Sequence, residues 1–175
     1  MLNQARRPEE SAGQLLYLEQ DLRFFELFGT VNAMLCLMDT VNHLLTETDL
    51  HHFFSLVHNY LHPGGSFIFD AATEHHLSAS LGQQQFYTID DEHALFWASS
   101  YDAAQCLSQA DITLFTRRAD ELWEREDGLI SERYYNRQLL EESLQSAGFK
   151  TISWLGEMGA DPAAGSERIY CLCRR

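Results

Sequence analysis

Leu61-His62-Pro63-Gly64-Gly65-Ser66-Phe67-Ile68-Phe69-Asp70 is the stretch whose reading decides the fold. Proline cannot continue a helix and glycine supplies the positive φ of a helix exit, so a helix stops near Leu61 and the chain reverses. The run over 66–69 then predicts a strand buried on both faces, as in a parallel sheet, finishing on the acid Asp70. Upstream, Leu50, Phe53, Phe54, Val57, Tyr60 and Leu61 fall at helical spacing and form one apolar stripe. Thr46 is its N-cap, with Asp49 at the capping-box distance. Before that, residues 31–38 predict another apolar strand, closing on Asp39-Thr40-Val41-Asn42. Strand, helix, turn and strand in this order make a βαβ unit of ordinary length. No Gly-x-Gly loop lies upstream of it.

Further out, residues 1–7 read as the tail of a helix, with Pro8 and Gly13 in the loop that follows. Gln14 to Asp21 reads as a strand ending on an acid. Beyond residue 80 the pattern changes to polar–aromatic alternation, with Leu95, Trp97 and Tyr101 in one stretch and Ile112 and Leu114 in another. Asp127-Gly128, between 121–126 and 129–135, is a type I′ hairpin signal. Together these predict a small antiparallel insertion of three or four strands. Asn136 then caps a helix bearing Leu139, Leu140, Leu144 and Ala147, and Gly148 closes it. Strands over 151–158 and 167–174 follow. The chain divides into a core part over 1–84, a β insertion over 85–135 and a return to the core over 136–175.

Composition narrows the function. The 175 residues predict one domain that buries roughly 70% of its unfolded surface. A 45% hydrophobic content is too high for disorder. A net charge of −14, with Lys150 the single lysine, argues against a nucleic-acid surface, which needs a basic footprint. No apolar run approaches the ~20 residues that span a bilayer and no signal peptide opens the chain, so the expectation is a soluble, cytoplasmic protein. The four cysteines include no Cys-x-x-Cys pair and read as buried thiols, Cys171 and Cys173 sharing one strand face. His51, His58 and His62 share one helical stripe, and His58 and His62 stand at a spacing that can share a metal. No acid completes the pattern, so a solvated face is expected and no metal site. His75-His76 reads as loop.

Glu19-Gln20-Asp21, the run from Leu35 to Asn42, the run from Leu61 to Asp70, Ala147-Gly148-Phe149 and Glu167-Arg168-Ile169-Tyr170 occur in an order that carries a resemblance. The chain resembles class I S-adenosylmethionine-dependent methyltransferases, small bacterial ones with a β-rich insertion after the fifth strand. The resemblance implies an α/β fold with a Rossmann-like seven-stranded sheet of order 3-2-1-4-5-7-6, here partial, from the third strand onward. It implies S-adenosylmethionine as cofactor, lying across the carboxyl ends of the strands as ligands of open α/β sheets do. By the same mapping Asp21 and Leu22 meet the adenine, and Leu37, Met38 and Asp39 line the methionine end. Asn42 lies near the acceptor pocket, and Asp70 faces the same cleft. Trp97 and Tyr101, with Tyr134 and Tyr135, either roof that pocket or form the insertion's own core.

The family's glycine-rich loop and first two βα units would precede Met1, on the order of 60 residues. The expectation is therefore a truncated chain, or one completed by an N-terminal partner chain or by self-association. Methyl transfer draws most of its acceleration from proximity and alignment, so no triad is required and no catalytic residue is assigned. The implied activity is methyl transfer to a small-molecule acceptor, in a longer form of the chain. The alternative is a non-catalytic remnant that serves as a binding or pairing module.

Overall fold

The computed structural model describes residues 16–156 and 165–175. Strands β1 (Val31–Cys36), β2 (Leu61–Ala72), β7 (Thr151–Leu155) and β8 (Arg168–Arg174) form a mixed sheet of order β1-β2-β8-β7. β1 and β2 run parallel, and β8 runs antiparallel to both its neighbours. These four strands match the 4-5-7-6 end of the order that the resemblance implies. A second sheet holds β3 (Gln85–Ile89), β4 (His93–Asp102), β5 (Leu107–Arg117) and β6 (Trp123–Arg133), each antiparallel to the next.

Strand, helix and strand of the βαβ unit form where the sequence places them, but Pro63-Gly64-Gly65 is no turn: the helix exits at Leu61, at φ −77°, directly into the next strand. Helix α1 (Glu47–Tyr60) starts at Thr46, whose Oγ1 accepts the Asp49 N–H at 3.1 Å and donates to Asp49 Oδ2 at 2.7 Å. Strand β2 begins at Leu61 and runs straight through the Pro-Gly-Gly segment. Its pairing with β1 jumps from Val31↔Leu61 to Ala33↔Ser66, so residues 62–65 form an irregularity within the strand. A Cβ on Gly65 would meet the Asn32 carbonyl at 3.0 Å and the His62 carbonyl at 2.8 Å. Glycine is what lets the two backbones approach there.

One face of the mixed sheet carries the core. Phe67, Phe69 and Ala71 of β2 join Cys171 and Cys173 of β8 and Trp154 of β7. Leu50, Phe53, Phe54 and Val57 of α1 cover them, with Leu140 and Leu144 of α2 (Arg137–Ala147). The α2 ends are as expected: the Asn136 side chain accepts the Leu139 N–H at 2.9 Å, and Gly148 takes φ 107°. The two helices pack side by side, and the histidine stripe is divided: His51 and His62 are exposed, as expected of a solvated face, while His58 is half-buried. His51 Nε2 lies 3.0 Å from Ser143 Oγ, and the His58 ring stands edge-on to Phe149 at 5.2 Å.

Three further expectations are corrected. β2 is not buried on both faces: Ser66 and Ile68 are half-buried, because both helices lie on the Phe67 side. Residues 16–20 form no strand, Gln14 and Leu15 lying outside the described residues, as do 1–7 and 157–164. Local bonds satisfy that stretch instead, with Gln20 Nε2 donating to the Glu26 carbonyl at 2.9 Å and the Glu26 N–H to Gln20 Oε1 at 2.5 Å. Asp127-Gly128 is no turn but lies within β6, opposite Thr113 and Ile112. Asp127 accepts from Thr113 Oγ1 at 2.7 Å and from the Arg125 guanidinium, cross-strand and same-strand partners that suit extended backbone. The reversal falls over 118–122, where Glu121 takes φ 66° and the Arg118 N–H bonds the Leu122 carbonyl at 2.8 Å.

Candidate active site

Beyond β1 the chain enters a left-handed turn, with Met38 at φ 64° and Asp39 at φ 57°. Such a conformation costs a non-glycine residue roughly 1–2 kcal/mol and persists only where surrounding contacts impose it. Here they do. Thr40 Oγ1 donates to the Leu37 carbonyl at 2.6 Å, and the Asn42 N–H to the Asp39 carbonyl at 2.8 Å. The Arg168 guanidinium grips the Asp39 carboxylate through both Nε, at 2.8 Å, and Nη2. Asp70 completes the set: its Oδ1 accepts the Asp39 N–H at 3.2 Å, and its Oδ2 lies 3.5 Å from Arg168 Nε. Asp70 does not end its strand, since β2 continues to Ala72. Burial pushes the Asp70 pKa up, the Asp39 N–H and the Arg168 charge pulling against it. This cluster sits where the parallel pair ends, the position at which open α/β sheets bind ligands.

Asn42 is fully buried. Its Oδ1 accepts the Ala72 N–H at 2.9 Å and its Nδ2 donates to the Arg133 carbonyl at 2.9 Å, joining the turn, β2 and β6. Asn42→Ala leaves an N–H and a carbonyl without these partners, at a cost of about 2 kcal/mol. The expected melting temperature is lower by about 6 °C. An unchanged transition in a thermal scan would refute this account of Asn42. Nearby, Tyr135 donates its buried hydroxyl to the Leu44 carbonyl at 2.5 Å, and burial pushes its pKa up to about 12.

The second sheet supplies the opposite wall. Strand register lines up Tyr101, Ser108 and Glu132 across β4, β5 and β6, on one face. Tyr101 donates its hydroxyl to Glu74 Oε1 at 3.2 Å, and burial followed by the Glu74 charge raises its pKa. Glu132 is largely buried, which raises its pKa, and His43, Asp39, His76 and Arg168 are all near enough for their charges to act on it. His43 Nε2 lies 4.0 Å from Glu132 Oε1, while His43 Nδ1 meets the Ser131 carbonyl at 3.2 Å. His76 Nδ1 is buried without a hydrogen bond, 3.6 Å from Glu167 Oε1. Trp97, four residues before Tyr101 on β4, is stacked on Phe86 at 5.4 Å and donates to Ser99 Oγ at 2.5 Å.

On the outer side of β1 runs a groove of about 580 Å³, lined among others by Leu22, Phe25, Met34, Leu35, Leu37 and Thr40. The structure thus brings Leu22 and Leu37 together. Met38 is 72% exposed. The Asp21 carboxylate is held by Arg23 through Nε at 3.0 Å, Nη2 at 2.7 Å and the backbone N–H at 2.8 Å, which lowers its pKa to about 2. Sequence reasoning did not assign Arg168, His43, His76, Glu74 or Glu132 to the site. The one signal for Glu132 is its alternation with Ile130 on the strand and with Tyr134 just beyond it.

A parallel βαβ unit, an antiparallel return strand, a strained turn at the strand ends and an antiparallel sheet above it define a methyltransferase-like α/β fold. Over 172 residues the chain is 26% identical to a Bacillus subtilis (strain 168) protein named "Putative methyltransferase YqeM", covering 97% of this chain and 69% of that protein. The crystal structure of an S-adenosylmethionine-dependent methyltransferase from Clostridium acetobutylicum ATCC 824 superposes with a TM-score of 0.86 at 27% identity. That match covers 99% of this chain and 70% of the other. At 14% identity, SAM-bound CalS10 from Micromonospora echinaspora, an amino pentose methyltransferase, shares the fold with a TM-score of 0.64 over 89% of this chain and 63% of its own. No protein-family model matches the sequence. Sequence and fold relate the chain to the class I S-adenosylmethionine-dependent methyltransferases.

Proposed function

We propose that this chain takes part in S-adenosylmethionine-dependent methyl transfer to a small-molecule acceptor. The observation that carries the reading is the left-handed Met38–Asp39 turn, fixed by Asp70 and Arg168 where the parallel strands end. The groove beside it fits the cofactor in kind. Its volume lies in the range of small-ligand sites, and its apolar lining suits a flat nucleoside. In this reading Leu22 and Leu37 lie along the adenosine, and Met38 and Asp39 meet the methionine end. Asp21 exchanges part of its Arg23 contact for the base's amino group. The cofactor supplies an activated methyl group on sulfur; the protein orients the two reactants and excludes water.

Small-molecule acceptors are favoured over nucleic acid by the net charge of −14. They are also the acceptors in neighbours titled as sugar or amino pentose methyltransferases. Among the described residues no helix is long and apolar enough to cross a membrane, and we place the protein in the cytoplasm. The exposed Phe28, Leu35, Leu37 and Met38, in or near β1 along the chain, and the position of β1 at the edge of the sheet among the described residues support association with a second copy or a completing chain. Calorimetric titration with S-adenosylhomocysteine tests the cofactor reading. Saturable heat with a Kd on the order of 10 µM is expected, and the absence of binding by this chain would overturn it.

A further inference from the structure

We infer that Glu132 binds a protonated amine of the methyl acceptor and takes up its proton, with His43 behind it as the relay to solvent. The inference deepens the methyl-transfer reading and rests on it. Glu132 occupies the end of the Tyr101–Ser108–Glu132 row, on the wall that faces the Met38–Asp39 turn across the seam between the sheets. Its side chain is 17% exposed, yet its carboxylate accepts no hydrogen bond from any described residue; His43 Nε2, at 4.0 Å, lies beyond bonding distance. Its oxygens still reach solvent, and a carboxylate enclosed to this degree with no donor among the described residues is placed to accept from a partner with N–H groups and positive charge. Other carboxylates at this seam are already engaged. Asp39 and Asp70 are bound to Arg168, and Glu74 to Tyr101. Glu167, 3.6 Å from His76, is 55% exposed; Glu132 is the enclosed acid here that makes no hydrogen bond to a described residue. Near it, His76 Nδ1 is buried and makes no hydrogen bond.

The pair also has the protonic arrangement for the task. The Ser131 carbonyl can only accept, so His43 Nδ1 carries the hydrogen and Nε2 presents its lone pair towards Glu132. The ammonium N–H gives its proton to a Glu132 oxygen, and the freed electron pair stays on nitrogen as the nucleophile. The resulting carboxylic acid passes that proton to His43 Nε2, which is half-exposed and returns it to water. Burial raises the basicity of Glu132, which narrows the gap to an ammonium donor. An alcohol would gain much less from a carboxylate so placed, which is why the geometry selects an amine.

The test uses the whole chain without methyl donor and three probes of one shape: butylammonium, butanol and butyrate. Carbon-13 signals of the glutamate carboxyls and nitrogen-15 signals of the imidazoles report binding. Butylammonium is expected to shift Glu132 and His43 saturably, and butanol and butyrate to leave them in place. In Glu132→Gln, with its melting curve checked, ammonium binding weakens about tenfold, the worth of a charge-assisted hydrogen bond. Equal response to butanol, a wild-type Glu132 signal that ignores the ammonium, or undiminished binding by the variant would each overturn the assignment. Because no donor is present, ammonium capture without S-adenosylhomocysteine binding would count against the methyl-transfer reading alone. The converse would count against Glu132 alone.

Discussion

Arg168→Ala is expected to lower the melting temperature by about 9 °C at pH 7. The guanidinium closes a bidentate contact with Asp39 and lies against Asp70, whose side chain is almost wholly enclosed. Removing one partner of a buried pair costs 3–5 kcal/mol, because the remaining charge stays buried without compensation. Arg168 is 29% exposed, so water softens the loss to about 3 kcal/mol, or roughly 3 °C for each kcal/mol in a chain of this size. The sign with pH follows from Asp70. Its pKa is raised by burial, and the Arg168 charge is one of the forces holding it down. Without Arg168 it rises further, so the carboxyl becomes neutral at a higher pH and the penalty fades on acidification. The deficit should be largest at neutral pH and shrink towards pH 4. A deficit independent of pH would mean that Arg168 acts through packing alone. Arg168→Lys keeps the charge but not the fork, and should fall between the two.

Phe54→Ala should be costlier still, at about 4 kcal/mol. Phe54 is fully buried, with ring centroids 5.7 Å from Phe53, 6.1 Å from Phe67 and 5.4 Å from Phe69. Its truncation opens a void under both aromatic residues of β2, and a packed interior relaxes only partly into such a space. Urea unfolding should show a lower midpoint with an unchanged slope, since the surface exposed on unfolding hardly differs. A loss under 1 kcal/mol would mean that the two helices close over the gap. Phe69 immediately precedes Asp70, so the same variant should blur the left-handed turn and weaken whatever binds beside it.

What the sequence disclosed was local. The α1 stripe, the Thr46 and Asn136 caps and the Gly148 exit each depend on residues within a few positions, and each is found where its pattern places it. The charge set around Asp39 depends on Arg168, 129 positions away. Nothing near either residue announces the pairing, which exists only once β8 inserts beside β2. The Tyr101–Ser108–Glu132 row likewise needs the register of three strands. Asp127-Gly128 misled for the opposite reason: its local turn preference was real but gave way to cross-strand bonds. In the histidine stripe only His58 departs from the expected exposure, because a helix shows its periodicity in sequence but not which neighbour it will meet.

Phe69 and Cys171 are hydrogen-bonded neighbours about a hundred residues apart along the chain, and that separation governs how the protein assembles. Closing so long a loop is entropically unfavourable and makes β2–β8 pairing a late, slow event. Between them, the four strands of the second sheet pair only with the next in line, so they can zip up from nearby contacts beforehand. Once they do, the span from Ala72 to Arg168 is shortened before either end has met its partner. The β insertion is then a splint for the assembly of the sheet it shelters, because its early hairpins shorten the loop that the slow step must close.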